Sequence, residues 1–194
     1  MTQRFRESGE VLPLTIIQAG PCVVTQVKTA IKDGYTAVQV GFGTKNHINK
    51  SLEGHLKANG KVAVLREFRV EDIDTGEYEV GKKLEAGIFE AGELVEIAGK
   101  SKGRGFAGVV KRHGFHGQDK GHGNKDQLRM PGSIGATDAA RVLKGTRMGG
   151  RMGMDRVTTR KMKIFEVDAA NNLIYIVGPV PGARNSLVEI RGAK

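Results

Sequence analysis

Three patterns in this chain hold residue types that could do chemistry. Gly103-Arg104-Gly105-Phe106-Ala107-Gly108 satisfies G-x-G-x-x-G, the glycine spacing that lets a backbone approach a dinucleotide pyrophosphate. That use also requires a following helix, a second parallel strand and an acidic residue about 20 positions on. The corresponding region holds His, Gly and Lys, so a dinucleotide site is not expected. Arg104-Gly105-Phe106-Ala107 also begins like the RNP1 signature of the RRM fold. Gly108 and Lys111 stand where the further aromatics belong, which argues against a base-stacking sheet. In the second pattern His113, His116 and His122 lie near Asp119, but H-x2-H-x5-H matches no established metal-ligand spacing, and the glycines between would not hold a rigid geometry. No metal and no cofactor are expected.

The third pattern recurs. Glycine occurs with neighbouring Arg or Lys in residues 100–108, 129–135 and 144–156. Glycine permits close approach and φ > 0, while Arg adds a planar fork that fits phosphate bidentately. These runs lie inside residues 99–163, where sixteen Lys/Arg meet four carboxylates and half of the 28 glycines are found. The stretch therefore carries +12 in a chain whose total is +10, so the remainder is slightly acidic. A pI near 9.8 points to a polyanionic partner. Because the cations accompany glycine and not a sustained apolar helical face, nucleic acid is favoured over a membrane surface. With no tryptophan and 5% aromatics, affinity is expected to come mostly from phosphates, sugars and backbone approach. Neutralising roughly ten phosphates would weaken binding by ~10³ to 10⁵ between 50 and 200 mM salt.

Catalytic arrangements are not legible. There is no G-x-S-x-G and no Walker lysine motif, and Glu67, Glu71, Asp72, Asp74, Glu77 and Glu79 read as a solvated face. Cys22 is a single cysteine in an apolar run, a small hydrophobe and no disulfide partner. No window approaches ~18 consecutive apolar residues, and residues 1–10 lack the apolar region of a signal peptide, so a reducing interior is expected.

The elements that would carry the basic stretch are strands. Residues 11–19, 22–29 and 36–42 are rich in Val, Ile and Thr, and Gly20-Pro21 and Lys32-Asp33-Gly34 separate them. They read as three antiparallel strands joined by tight turns. Leu52, His55 and Leu56 recur at helical spacing within residues 49–59, which predicts one short helix stopped by Gly60. Further strands are expected at residues 64–70, 94–98, 164–167, 173–177 and 187–190, with a hairpin turn at residues 168–172. The fold class expected is mainly β: a small β-barrel with one short helix and a long irregular basic extension.

The extension cannot pack as an ordinary domain. Residues 116–156 contain eight large apolar side chains, whose burial would stabilise by roughly 12 to 24 kcal/mol in all. Ordering 41 backbones costs ~1 to 2 kcal/mol each, which exceeds that gain. The segment is expected to be mobile alone and to order against a partner that neutralises its charge.

The residues also resemble a family. Met1-Thr2-Gln3-Arg4-Phe5, residues 24–29, residues 34–43, Leu65-Arg66-Glu67-Phe68-Arg69 and Tyr78-Glu79-Val80-Gly81 are similar, in order, to the bacterial-type large-subunit ribosomal protein L three family. More specific are residues 102–113, Pro131-Gly132-Ser133-Ile134-Gly135 and Met148-Gly149-Gly150-Arg151-Met152-Gly153. The resemblance implies a translation-protein-type β-barrel whose extension penetrates large-subunit rRNA and approaches the peptidyl-transferase centre without doing chemistry. It also implies early rRNA binding near the 3′ domain during assembly, with the ribosomal proteins L fourteen and L nineteen as neighbours, in the cytoplasmic ribosome or an organellar one. Ala136-Thr137-Asp138-Ala139-Ala140 stands where the family commonly has a Pro-Gly turn, and Ala136 cannot carry the methylated Gln some members have there.

Residues 1–98 and 164–194 are thus expected to form the barrel, and residues 99–163 the RNA-penetrating extension. Its candidate RNA-binding residues are Lys100, Lys102, Arg104, Lys111, Arg112, His113, Lys120, Lys125, Arg129, Arg141, Lys144, Arg147, Arg151 and Arg156. The expected partner is large-subunit rRNA with neighbouring ribosomal proteins, and neither a membrane nor a small-molecule substrate. A free-standing RNA chaperone or assembly factor would share these electrostatics, and a barrel enzyme holding a nucleotide on its glycines is the other rival.

Overall fold

The computed structural model describes residues 1–56, 59–71 and 78–193. In chain order its elements are β1 Thr2–Phe5, β2 Val11–Gln18, β3 Cys22–Lys28, α1 Ala30–Asp33, β4 Ala37–Thr44, α2 Lys50–Leu56, β5 Val62–Arg69, β6 Lys83–Leu84, β7 Leu94–Lys100, β8 Phe106–Ala107, α3 Val109–His113, β9 Gly150–Arg151, β10 Arg156–Asp168, β11 Leu173–Val177 and β12 Val188–Gly192. The chain is mainly β. One sheet has the order β1-β2-β11-β10-β7-β12, a second β5-β4-β3-β6, and β8 with β9 makes a short ribbon. Neither larger sheet returns to its own first strand, so the described residues show no hydrogen-bonded closure into a barrel.

The chain divides into two compact units. The first comprises Met1–Val95, Lys161–Pro179 and Gly192–Lys194, and the second Glu96–Arg160 with Val180–Arg191. The first contains most of the core. Leu14, Val24, Leu56, Val95, Ile164, Ile174 and Ile176 are all essentially inaccessible there, each contributing ~1.5 to 3 kcal/mol relative to exposure. Strand β11 alternates, with Ile174 and Ile176 inward and Leu173, Tyr175 and Val177 half-buried. It pairs antiparallel with β10 through the expected hairpin at residues 168–172, where Asp168 accepts hydrogen bonds from the Asn171 amide and side chain.

Two sequence expectations need correction. Strands β2 and β3 are not partners across Gly20-Pro21: β2 pairs with β1 and β11, whereas β3 pairs with β4 and β6. The reason is long-range pairing, since β2 finds a five-residue antiparallel register with the apolar β11, from Gln18 against Leu173 to Leu14 against Val177. More than one helix also forms. Helix α1 replaces the expected tight turn between β3 and β4, and Gly34, at φ 77°, supplies the left-handed residue that ends it. Helix α2 is where the spacing placed it, with Leu56 buried, and α3 is an additional short helix.

Glu67 is also not simply solvated. It accepts a hydrogen bond from the Tyr35 hydroxyl at 2.9 Å and one from the Gln39 amide at 3.2 Å, and it pairs with Lys28 at 2.8 Å. The antiparallel register that sets Gln39 opposite Glu67 brings these residues together. Asp72, Asp74 and Glu77 lie outside the described residues.

Candidate nucleic-acid interface

The basic unit is built on a backbone ladder. The Ser101 amide donates to the Asp155 carbonyl at 2.9 Å, the Arg104 amide to Met152 at 2.9 Å, and the Met152 amide to Gly105 at 3.0 Å. Phe106 then pairs with Arg151, and Ala107 with Gly150, in the antiparallel β8–β9 ribbon. Two segments almost fifty residues apart in sequence therefore run side by side and return the extension to its origin. Glycine makes this possible at one crossing in particular. Gly153 has φ 78°, and a Cβ there would lie 2.2 Å from the Lys102 carbonyl oxygen.

Helix α3 follows the ribbon directly, so the G-x-G-x-x-G run does lead into a helix. That helix is five residues long, and β8 has an antiparallel partner, not the parallel strand a dinucleotide fold requires. Val109 is buried, and the last turn carries Lys111, Arg112 and His113. Two of these turn back onto the chain: the Arg112 guanidinium donates to the Met148 carbonyl at 2.9 Å, and His113 Nε2 contacts the same oxygen at 3.0 Å. The shared acceptor clasps α3 to the segment entering β9. Among the described residues, no group of three His, Cys, Asp or Glu is arranged to hold a metal ion.

Beyond the ribbon the chain is irregular. Between residues 116 and 147 nearly all backbone hydrogen bonds are local turns, such as Met130 to Gln127, Ala140 to Thr137 and Thr146 to Leu143. The bond from Gln118 to the Leu128 carbonyl, at 3.0 Å, closes one wider loop. At the base, the Arg156 guanidinium pairs with Glu189 at 2.5 Å, and Arg160 approaches Glu96 at 3.6 Å. Gly99 passes so close to the Pro181 carbonyl that a Cβ would lie 2.6 Å from it. The 180–191 segment thus braces the base of the ribbon.

The structure distributes the sequence-selected cations over this frame. Lys102, Arg104 and Arg151 lie along the ribbon, Lys111, Arg112 and His113 on α3, and Lys100 and Arg156 at the base. Lys120, Lys125, Arg129, Arg141, Lys144 and Arg147 occupy the irregular span. All except His113, which is half-buried, are exposed. Arg112, His113 and Arg156 already have contacts within the chain. The sequence carried no signal for the Met148 clasp or for the brace, because both depend on residues 33 to 82 positions apart meeting in space.

The family model of ribosomal protein L3 matches residues 58–172, more than half the chain and the whole of the basic stretch. The chain belongs to the ribosomal protein L3 family. The large ribosomal subunit protein uL3 of Heliobacterium modesticaldum is 50% identical over 197 residues, covering all of this chain and 92% of the relative. That of Herpetosiphon aurantiacus is 50% identical over 199 residues, covering all of this chain and 93% of the relative. That of Dehalococcoides mccartyi is 45% identical over 192 residues, covering 98% of this chain and 93% of the relative. An L3-family chain is a structural ribosomal protein and not an enzyme, so the nucleotide-holding enzyme is set aside. In this family member Gly153 serves the close chain crossing of the ribbon, whereas a Cβ at Gly105 or Gly108 would meet nothing within 4 Å.

Proposed function

We propose that this L3-family chain is a structural constituent of the large subunit of the cytoplasmic bacterial ribosome, and that its basic unit binds large-subunit rRNA directly. The observation that carries the reading is the exposure of the cations of residues 99–163 in a stretch of net charge +12. Burial of such charges without partners would be costly, and water alone gives no reason to concentrate them. A polyanion that threads between them does. Exposed Arg and Lys on a glycine-rich backbone position a chain against phosphates without demanding a base sequence.

Residues 1–98 with 164–194 act as the anchor, and residues 99–163 as the penetrating extension. The two larger sheets are the parts from which a translation-protein-type barrel would be assembled. The extension is directed toward the peptidyl-transferase centre, where it supports architecture and not chemistry, and ribosomal proteins L fourteen and L nineteen are its neighbours. Binding during early assembly follows from an extension that orders against rRNA, since RNA that has already closed around the site would obstruct its entry. Arg112, His113 and Arg156 chiefly shape the interface, while Lys100, Lys102, Arg104, Lys111, Lys120, Lys125, Arg129, Arg141, Lys144, Arg147 and Arg151 meet RNA.

Charge reversal tests this. Replacing Lys102, Arg104, Arg147 and Arg151 together with Glu is expected to exclude the protein from large subunits isolated by sedimentation, while its far-ultraviolet circular dichroism and melting stay as in the parent. Normal stoichiometric incorporation would refute the assignment. A protein found only on precursor particles would instead identify an assembly factor.

A further inference from the structure

Phe106 is 83% exposed, the most exposed aromatic among the described residues, although Ala107 and Val109 beside it are buried. It sits on β8 directly opposite Arg151, with Arg104 two residues before it, and both arginines are exposed. Its ring is not loose: ring atoms lie 3.3 to 3.4 Å from where a Cβ on Gly149 would stand, so the ring rests against glycine backbone. The space beside it is open, because a Cβ at Gly105 or Gly108 would meet nothing within 4 Å.

We propose that Phe106 is a nucleobase-stacking anchor, taking one unpaired base of the bound RNA on its free surface while Arg104 and Arg151 hold the flanking phosphates. The inference rests on the RNA-binding reading above and adds to it a contact that charge cannot provide. An aromatic left in water on a ribbon is unfavourable until something planar or apolar covers it. The surrounding cations select a ligand that is flat and anionic at once, which a nucleotide is and an apolar protein surface is not. This is not the RRM platform, whose second and third aromatics are absent at Gly108 and Lys111; it is one stacked position on an electrostatic track.

The test is filter binding of the full chain to a transcript of bacterial large-subunit rRNA between 50 and 200 mM salt. Phe106→Ala is expected to weaken binding roughly 5- to 100-fold at every salt concentration, leaving the slope of log affinity against log salt unchanged. Phe106→Leu should lose nearly as much, and Phe106→Trp should retain affinity, because stacking needs a π-face and not merely apolar volume. Arg151→Gln is the contrasting control, expected to reduce the slope by about one. A steep parental slope with Phe106→Ala binding as tightly as the parent overturns the stacking inference alone, as does full retention by Phe106→Leu. Absence of salt-dependent binding by the parent chain overturns the RNA reading and this inference with it.

Discussion

Glu67 shows how one residue changes meaning when its neighbours arrive. Beside other acidic residues it reads as one more solvated carboxylate. On β5 it faces Lys28, Tyr35 and Gln39, and Gln39 is itself held by the Thr25 hydroxyl at 2.9 Å and by His55 at 2.8 Å. Hydrogen bonds from Lys28 first and Tyr35 second hold the Glu67 carboxyl below the ordinary carboxylate range. The bond to Glu67, followed by that to Tyr35, raises the Lys28 ammonium above the ordinary lysine range. The signs are opposite, so the pair stabilises between them. The Glu67 contribution is present above the unfolded carboxylate pKa and lost as pH falls through the lower folded value. That of Lys28 is present below the unfolded lysine pKa and lost as pH rises through the higher folded one. In urea titrations, the drop in unfolding midpoint between pH 7 and pH 3 is expected to be smaller in Glu67→Gln than in the parent. An identical acid-side drop in both would show that the network contributes nothing.

At the scale of elements, the ribbon is the part whose chemistry is least forgiving. Strands β8 and β9 are two residues each, too short to hold by sheet hydrogen bonds alone. The crossing at Gly153 and the clasp of Arg112 and His113 on Met148 supply what the strands lack. Gly153→Ala must place a Cβ against the Lys102 carbonyl while holding a left-handed backbone, a conformation that by itself costs about 1 kcal/mol. It is expected to abolish the hydrogen-exchange protection of the Arg104 and Met152 amides and to leave β10 and β11 protected. Gly121→Ala, where a Cβ meets nothing within 4 Å, serves as the neutral comparison. Equal protection in both variants would mean that the ribbon does not depend on this crossing.

For the whole molecule, the contrast is between a unit with a core and a span without one. Residues 116–147 are nearly all exposed and rely on i to i+3 turns, while the first unit closes around Leu14, Ile164, Ile174 and Ile176. Amides of residues 116–147 are expected to exchange near their intrinsic rates in the free chain, those of β2 and β11 to exchange slowly, and the first group to become protected when large-subunit rRNA is added. Uniformly high protection across the free chain would contradict the entropy argument.

Sequence alone determined the parts that depend on local period and composition. The strand at residues 173–177, the helical spacing at Leu56, the hairpin chemistry at residues 168–172, the concentration of charge in residues 99–163 and the family motifs within it are all properties of neighbouring residues. The tertiary structure decided the rest, because its determinants are far apart along the chain. No local pattern says that β2 belongs with β11 and not β3, that Glu67 meets Lys28, that Arg112 and Arg156 are occupied by the chain itself, or that Phe106 is left uncovered. Those outcomes follow from register and from which side chains share a face after long loops close. Periodicity tells a residue which way to face, and only the fold tells it what it faces.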